Sequence, residues 1–165
     1  MVEMKVFGLA LDEESQVPVL VLKDKDEKKV LPIWIGAMEA MAISLALNGV
    51  ELPRPMTHDL LLRVFSSLDA RVLAVDVVDL TDGTYYAEIE VEQGGKKKRI
   101  DCRPSDGIAL ALRAEVPISV SESVLTQAGT DNEKSPDPVI KGEDDADKWA
   151  EMLEKLNVED SKYKM

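Results

Sequence analysis

The sequence predicts an α/β domain of the α+β kind, a single domain with strands grouped in runs and helices packed against them. Three observations predict it. Stretches alternate apolar with polar residues, as Ala87, Ile89 and Val91 do against Glu88, Glu90 and Glu92, which marks strands with one wet face. Apolar segments of helical length separate the strand runs. The turn signals TDGT (81–84) and QGGK (93–96) join neighbouring strands as tight hairpins. With 165 residues, 45% of them hydrophobic and only 4% aromatic, the chain has room for one domain plus an appendage, its core built from Val, Leu, Ile, Ala and Met.

Three strands open the chain, at 2–12, 17–24 and 29–36. Pro18 and Pro32 suggest strand starts, edges or bulges, because proline donates nothing to a ladder. A helix follows at 37–49 and ends on Asn48-Gly49, a common C-cap pair. Only Glu39, Ser44 and Asn48 interrupt its apolar surface, so it is expected to be buried on most faces, and a subunit interface is one way to bury it. After the proline-rich connection 50–56, a second helix at 57–70 carries Leu61, Val64, Phe65 and Leu68 on one stripe. Strands at 71–80, 84–93 and 96–103 form a meander. A third, largely apolar helix (104–115), a short strand (116–121) and a short helix (122–129) close the domain at 1–128. Residues 129–143 read as a flexible linker. Residues 144–165 read as an amphipathic helix and tail, with Trp149, Met152, Leu153 and Leu156 on one stripe, expected to dock on its own domain, a second subunit or a partner protein.

The formal net charge is -12, spread along the chain. This works against nonspecific nucleic-acid binding, which depends on neutralising phosphates, but leaves room for a local basic groove or a charge-offsetting metal. The basic run GGKKKR (94–99) reads first as a solvated hairpin and second as a phosphate contact. The single cysteine, Cys102, precludes an internal disulfide and suits a reducing compartment; its position at a strand end favours a buried small residue over a nucleophile. The acidic, alternating N-terminus is not a secretory signal, and no apolar run approaches the roughly 18 to 20 residues of a membrane span. A cytoplasmic protein without membrane contact is expected. Walker, GxGxxG, HExxH, CxxC and GxSxG signatures are absent from the sequence.

Two helix starts share one grammar. RPMTHDLLL (54–62) and RPSDGIALAL (103–112) each run Arg-Pro, a hydroxyl residue, an aspartate and an apolar helix. Thr57 is a natural N-cap that places His58 and Asp59 in the first turn, and Ser105 plays the same part before Asp106, with Pro104 at the first helical position as the alternative frame. Caps and dipole complements account for this pattern without any function. The sharper reading is that each start offers N–H groups, a positive dipole and an arginine to an anion such as phosphate. For phosphodiester hydrolysis the candidates are His58, Asp59, Asp106 and Glu39 as catalytic groups, and Arg54, Thr57, Arg103 and Ser105 as substrate contacts. Asp101 and Asp106 could hold a divalent metal, Mg or Mn.

The motifs VLPIWIGAMEAMAISLAL, RPMTHDLL and DCRPSDGIALALR, in this order and spacing, resemble the bifunctional nuclease domain family over about residues 3–128. The tail WAEMLEKLNVEDSKYKM resembles the C-terminal extension of some bacterial members. The resemblance implies a compact domain with a mixed, largely antiparallel sheet and packed helices, a homodimer, and hydrolysis of both DNA and RNA, as assigned to plant members. The family's motif positions fall on Glu39, Arg54, Pro55, Thr57, His58, Asp59, Asp101, Arg103, Pro104, Ser105 and Asp106. Gly107 stands where alanine is usual, which is expected to loosen the third helix slightly. Two functions follow as expectations: a divalent-metal-dependent nuclease, or a non-catalytic dimeric module for a protein or anionic ligand. What separates them is whether the two helix starts meet.

Overall fold

The computed structural model describes residues 1–131; the stretch 132–165, with most of the expected linker and the amphipathic helix, lies outside the described residues. The strands are β1 (Val2–Leu11), β2 (Pro18–Asp24), β3 (Lys29–Trp34), β4 (Ala70–Thr81), β5 (Thr84–Gln93), β6 (Lys96–Cys102), β7 (Ile118–Val120) and β8 (Thr130–Asp131). The helices are α1 (Ala37–Leu47), α2 (Thr57–Ser67), α3 (Pro104–Ala114) and α4 (Glu122–Ala128). The strands form one sheet in the order β6-β5-β4-β7-β1-β2-β3-β8. Only β4 and β7 run parallel; every other pairing is antiparallel. This is an α+β fold with a mixed, largely antiparallel sheet.

Local chemistry accounts for the elements. The β4–β5 turn puts Asp82 and Gly83 at φ 51° and 75°, the left-handed pair that a tight hairpin needs. Helix α1 ends as its sequence suggests: Gly49 takes φ 61°, and the Val50 N–H donates to Leu45 O at 2.9 Å. Pro18 opens β2, and Pro32 lies in β3 beyond the two residues that pair with β8. There the missing N–H costs no ladder bond on that side. Short β8, inside the expected linker, pairs Lys29 and Val30 of β3.

One sheet face carries the main core, where Leu9, Leu20, Leu22, Leu31, Val75, Val77, Ile89 and Val120 meet the helices. Helix α3 packs on this sheet at β4 and β5 and contacts α1 and α2, while α4 packs on β3 and β4. Ile108, Ala109, Leu110 and Ala111 are all buried. That position explains its apolar surface on nearly every side, and α1 likewise buries Ala40, Ala42 and Ile43 within the domain. Met38, on the same helix, stays 67% exposed. A Cβ at Gly107 would stand 2.8 Å from Val75 Cγ1 and 3.0 Å from Cys102 Sγ. The glycine thus lets α3 approach the sheet closely, and its cost in helix propensity is offset by packing.

Helix α2 departs from the sequence expectation. It lies in the outer layer and has no fully buried residue. Leu62 and Phe65 pack on the core, whereas Leu61, Val64 and Leu68 are exposed. Of the expected stripe only Phe65 turns inward. A helix resting on another helix needs a narrow contact line, and the line chosen runs through positions 58, 62 and 65, at spacings of four and three. This rotation turns His58 toward α3.

Candidate active site

Three helix starts converge. Asp106, in the first turn of α3, has Oδ1 3.2 Å from His58 Nε2 in the first turn of α2. Its other oxygen, Oδ2, accepts a hydrogen bond from Arg103 Nε at 2.7 Å. Arg103 Nη1 lies 2.9 Å from Glu39 Oε1, in the first turn of α1. The result is a continuous polar chain, Glu39–Arg103–Asp106–His58, with each helix contributing near its positive end. The four side chains line a cavity of about 200 Å³ with Thr57, Met38, Met41, Met56 and Arg113.

Each member is placed by its local sequence. Arg103 is the N-cap of α3, and Pro104 occupies the first helical position, its fixed φ suited to that place. The strand ends at Cys102, so Arg103 leaves the sheet and reaches Asp106 and Glu39, not Asp101. A Cβ at Gly36, the N-cap of α1, would overlap the Glu39 carboxylate, so the glycine makes room for Glu39 to fold back over its own helix start. Met56 is the N-cap of α2, and Thr57 is its first helical residue. The cap expected from Thr57 is supplied instead by Asp59, whose Oδ2 accepts the Met56 N–H at 2.9 Å. Thr57 is thereby left to line the cavity.

The electrostatics separate the members. His58 is nearly enclosed, its side chain 13% exposed, whereas Arg103 is 65% exposed and faces water. Partial burial by itself would raise the Asp106 carboxyl, but the hydrogen bonds from Arg103 and His58 outweigh it and hold it below the usual carboxylate range. The Asp106 and Glu39 carboxylates in turn raise Arg103. Asp106 is therefore an ionised partner that orients the His58 ring. With Nε2 bound to the carboxylate, Nδ1 is the nitrogen left to accept a proton.

Other expected residues lie elsewhere. Asp59 lines the neighbouring groove of about 680 Å³. There its Oδ1 accepts from Arg113 Nε at 2.8 Å. Burial favours a raised Asp59 carboxyl, yet the Met56 N–H and Arg113 hold it low. Arg54 is exposed in the loop before α2 and lines neither cavity. Ser105 is buried in the first turn of α3. Asp101, the other residue expected to hold a metal with Asp106, lies on β6 and by strand alternation faces the side of the sheet opposite to Cys102. Among the described residues no three His, Cys, Asp or Glu side chains gather to hold an ion. Asp106 and Glu39 are both neutralised by Arg103 as well, so this donor set does not fit a resident divalent metal. The GGKKKR hairpin is partly neutralised: Lys97 pairs with Glu90, and Arg99 with Asp76, Glu88 and Glu90. Burial, with Asp101 and Asp106 nearby, pushes the Cys102 thiol up to about 11, which leaves it protonated and inert at neutral pH.

One organising residue escaped sequence reasoning. Arg113, its side chain 11% exposed, donates to Asp59 on α2, to Ala42 O on α1 at 3.0 Å and to Ala109 O on α3 at 2.8 Å. It clamps all three helices whose starts form the site. The signal was its position two turns after Asp106, hence on the same face of an otherwise apolar helix.

The bifunctional nuclease domain profile matches residues 20–133 of the chain. The chain belongs to the bifunctional nuclease domain family. An uncharacterised protein of Mycobacterium tuberculosis (strain H37Rv) is 39% identical over 163 residues, covering 97% of this chain and 98% of that protein. Bifunctional nuclease 1 of Arabidopsis thaliana is 28% identical over 126 residues, or 74% of this chain and 39% of the plant protein. Bifunctional nuclease 1 of rice (Oryza sativa subsp. japonica) is 25% identical over 125 residues, again a minor part of its length, 38%. The matched region holds the whole polar chain from Glu39 to Asp106. Among the described residues no helix is long and apolar enough to cross a membrane.

Proposed function

We propose that this protein is a nuclease that hydrolyses phosphodiester bonds of DNA and RNA at the Glu39–Arg103–Asp106–His58 cleft. The observation that carries the proposal is the single Asp106 carboxylate shared by His58 and Arg103 at 3.2 and 2.7 Å. In this reading Asp106 fixes the imidazole, His58 takes a proton from the attacking water as its oxygen bonds to phosphorus, and the P–O bond to the leaving nucleotide oxygen breaks, that oxygen taking a proton from solvent. Arg103, exposed beside it, receives a phosphate oxygen, exchanging part of its hold on Glu39 for the substrate. The first turns of α2 and α3 add their N–H groups and positive ends. Thr57 supplies a hydroxyl at the rim. Family membership and the nuclease names of the plant relatives support the substrate class.

The test is cleavage of single-stranded DNA and RNA by purified protein, with and without Mg or Mn. The Asp106→Ala, Arg103→Ala double variant is expected to lose at least about a hundredfold in rate, because His58 loses the carboxylate that orients it as general base and the phosphate loses its arginine. A double variant that cuts as well as the unsubstituted chain would place the activity elsewhere. Stimulation by Mn would mean that substrate brings the ion or that a partner subunit completes the donor set. A second reading, an anion-binding dimer without catalysis, is favoured by the exposure of Arg103 together with the lack of a three-ligand metal cluster among the described residues. It requires Arg103-dependent oligonucleotide binding with no cleavage at any metal concentration.

The apolar residues that α2 leaves exposed, Leu60, Leu61, Val64 and Leu68, support a homodimer formed through this helix.

A further inference from the structure

The basic run at the β5–β6 turn is not one patch but two. Gly94 and Gly95, at φ 58° and 74°, close a two-residue turn that pairs Lys96 with Gln93, Lys97 with Glu92 and Lys98 with Val91. Strand alternation then divides the cations between the sheet faces. Lys97 and Arg99 stand on the outer face, among Glu88, Glu90 and Asp76. Lys96, Lys98 and Ile100 stand on the face that carries the helices, in line with Cys102, whose Sγ lies against α3 at Gly107. Opposite the two lysines β5 offers a glutamine and a valine, with no carboxylate. Both lysines are exposed, and among the described residues neither has an ion pair; Lys98 reaches only Gln93 Oε1, at 3.4 Å.

This face leads to the cleft. Strand β6 runs from Lys96 to Cys102, and the exposed Arg103 follows at once. Helix α2 lies on the same face and runs the other way. His58, in its first turn, meets Asp106, and the carbonyl of Leu68, its C-cap, accepts a hydrogen bond from Gln93 Nε2, beside Lys96. Each end of α2 is thus tied near one end of β6. The lane between them is bordered by the last strand of the sheet, with Lys96 and Lys98 along it and Arg103 at its head. In a chain of net charge -12, unpaired cations in line are what let a polyanion approach. We infer that a single strand of nucleic acid lies along this lane, its phosphates on Lys96 and Lys98, and enters the cleft at Arg103. The inference rests on the nuclease reading of that cleft. His58 is too enclosed for a stiff duplex to bring a phosphodiester to it, whereas a flexible single strand can bend in. Strand β6 carries no aromatic side chain, so its contacts hold phosphates without reading base or sugar, which suits both DNA and RNA.

The test is fluorescence anisotropy of the full-length protein with a labelled thymidine oligonucleotide of about twelve nucleotides, phosphorothioate-linked to slow cleavage, over a range of salt. Lys96→Gln with Lys98→Gln is expected to raise Kd about tenfold and to flatten the log–log salt slope by about 1.4, two phosphate contacts at about 0.7 each. Lys97→Gln, which removes a charge from the outer face, should shift Kd by less than about twofold. Hydrolysis of bis(p-nitrophenyl) phosphate, too small to reach the lane, should be the same in all three proteins. A Kd and slope unchanged in the double variant would overturn the inference. So would an equal loss in Lys97→Gln, which would reduce the effect to overall charge, or an unsubstituted chain that does not bind the oligonucleotide. If the double variant binds normally while the unsubstituted chain cleaves, the lane fails and the nuclease reading stands. If binding needs both lysines and nothing is cleaved, the lane stands and the nuclease reading fails.

Discussion

Each side chain at the site has a neighbour that decides its job, and adjacent residues have different ones. His58 meets Asp106, while Asp59, next in the chain, caps α2 and holds Arg113. Asp59→Ala should therefore act on stability. It strips an N–H of its acceptor and leaves the enclosed Arg113 charge without its carboxylate, at a cost of about 1–3 kcal/mol, the low end for a broken ion pair because Asp59 itself is 37% exposed. Denaturant unfolding of the variant checks this, and an unchanged midpoint would remove Arg113 as the clamp. The sequence exposed the hydroxyl-aspartate grammar of both helix starts but not this division of labour. Identical first-turn aspartates differ only in which arginine the fold brings to them, and Arg113 lies 54 residues from Asp59.

Among the elements, α2 was read least well and matters most for the site. The stripe expected from the sequence, through Leu61, Val64, Phe65 and Leu68, would have left His58 at its edge. The observed face, through Leu62 and Phe65, turns it inward. Both stripes are apolar, so periodicity alone could not choose between them; the choice belongs to the helix–helix contact. The two faces should respond differently to substitution. Leu62→Ala should cost about 1–2 kcal/mol in unfolding experiments, less than a fully buried leucine. Leu61→Lys with Val64→Lys should leave stability nearly unchanged and convert a dimer to a monomer in sedimentation. A double lysine variant that unfolds instead would restore the stripe first read from the sequence. The strands were far more legible. Turn chemistry and alternation located seven of the eight within a residue or two, and the two-residue β8 carries too little sequence to announce itself.

For the molecule as a whole, pairing holds some of the 32 acidic side chains beside arginines, at the sheet and at the helix starts, while the net charge stays at -12. Asp59 and Asp106 are both held below their ordinary values in the fold, so each binds its proton more readily when unfolded. Their contribution to stability is complete above the unfolded carboxylate range and is lost as pH falls through the lower folded values. Thermal melts should fall steeply below about pH 4, near the ordinary aspartate value, and Asp106→Asn should flatten that fall. A variant whose acid profile matches the unsubstituted chain would contradict the pairing. The fold class and the two matching helix starts were legible because strand alternation and helix caps are local signals, whereas whether the two starts meet was not. The joining of three helix starts into one cleft is a tertiary fact. The central claim is that His58 and Asp106 work as one unit in phosphodiester cleavage, and a double-mutant cycle on single-stranded DNA hydrolysis tests it most directly. His58→Ala and Asp106→Ala should each lower kcat/KM by about a hundredfold or more, with the double variant no worse than the poorer single one. Losses that multiply, or a folded unsubstituted chain that cleaves nothing, would contradict the account.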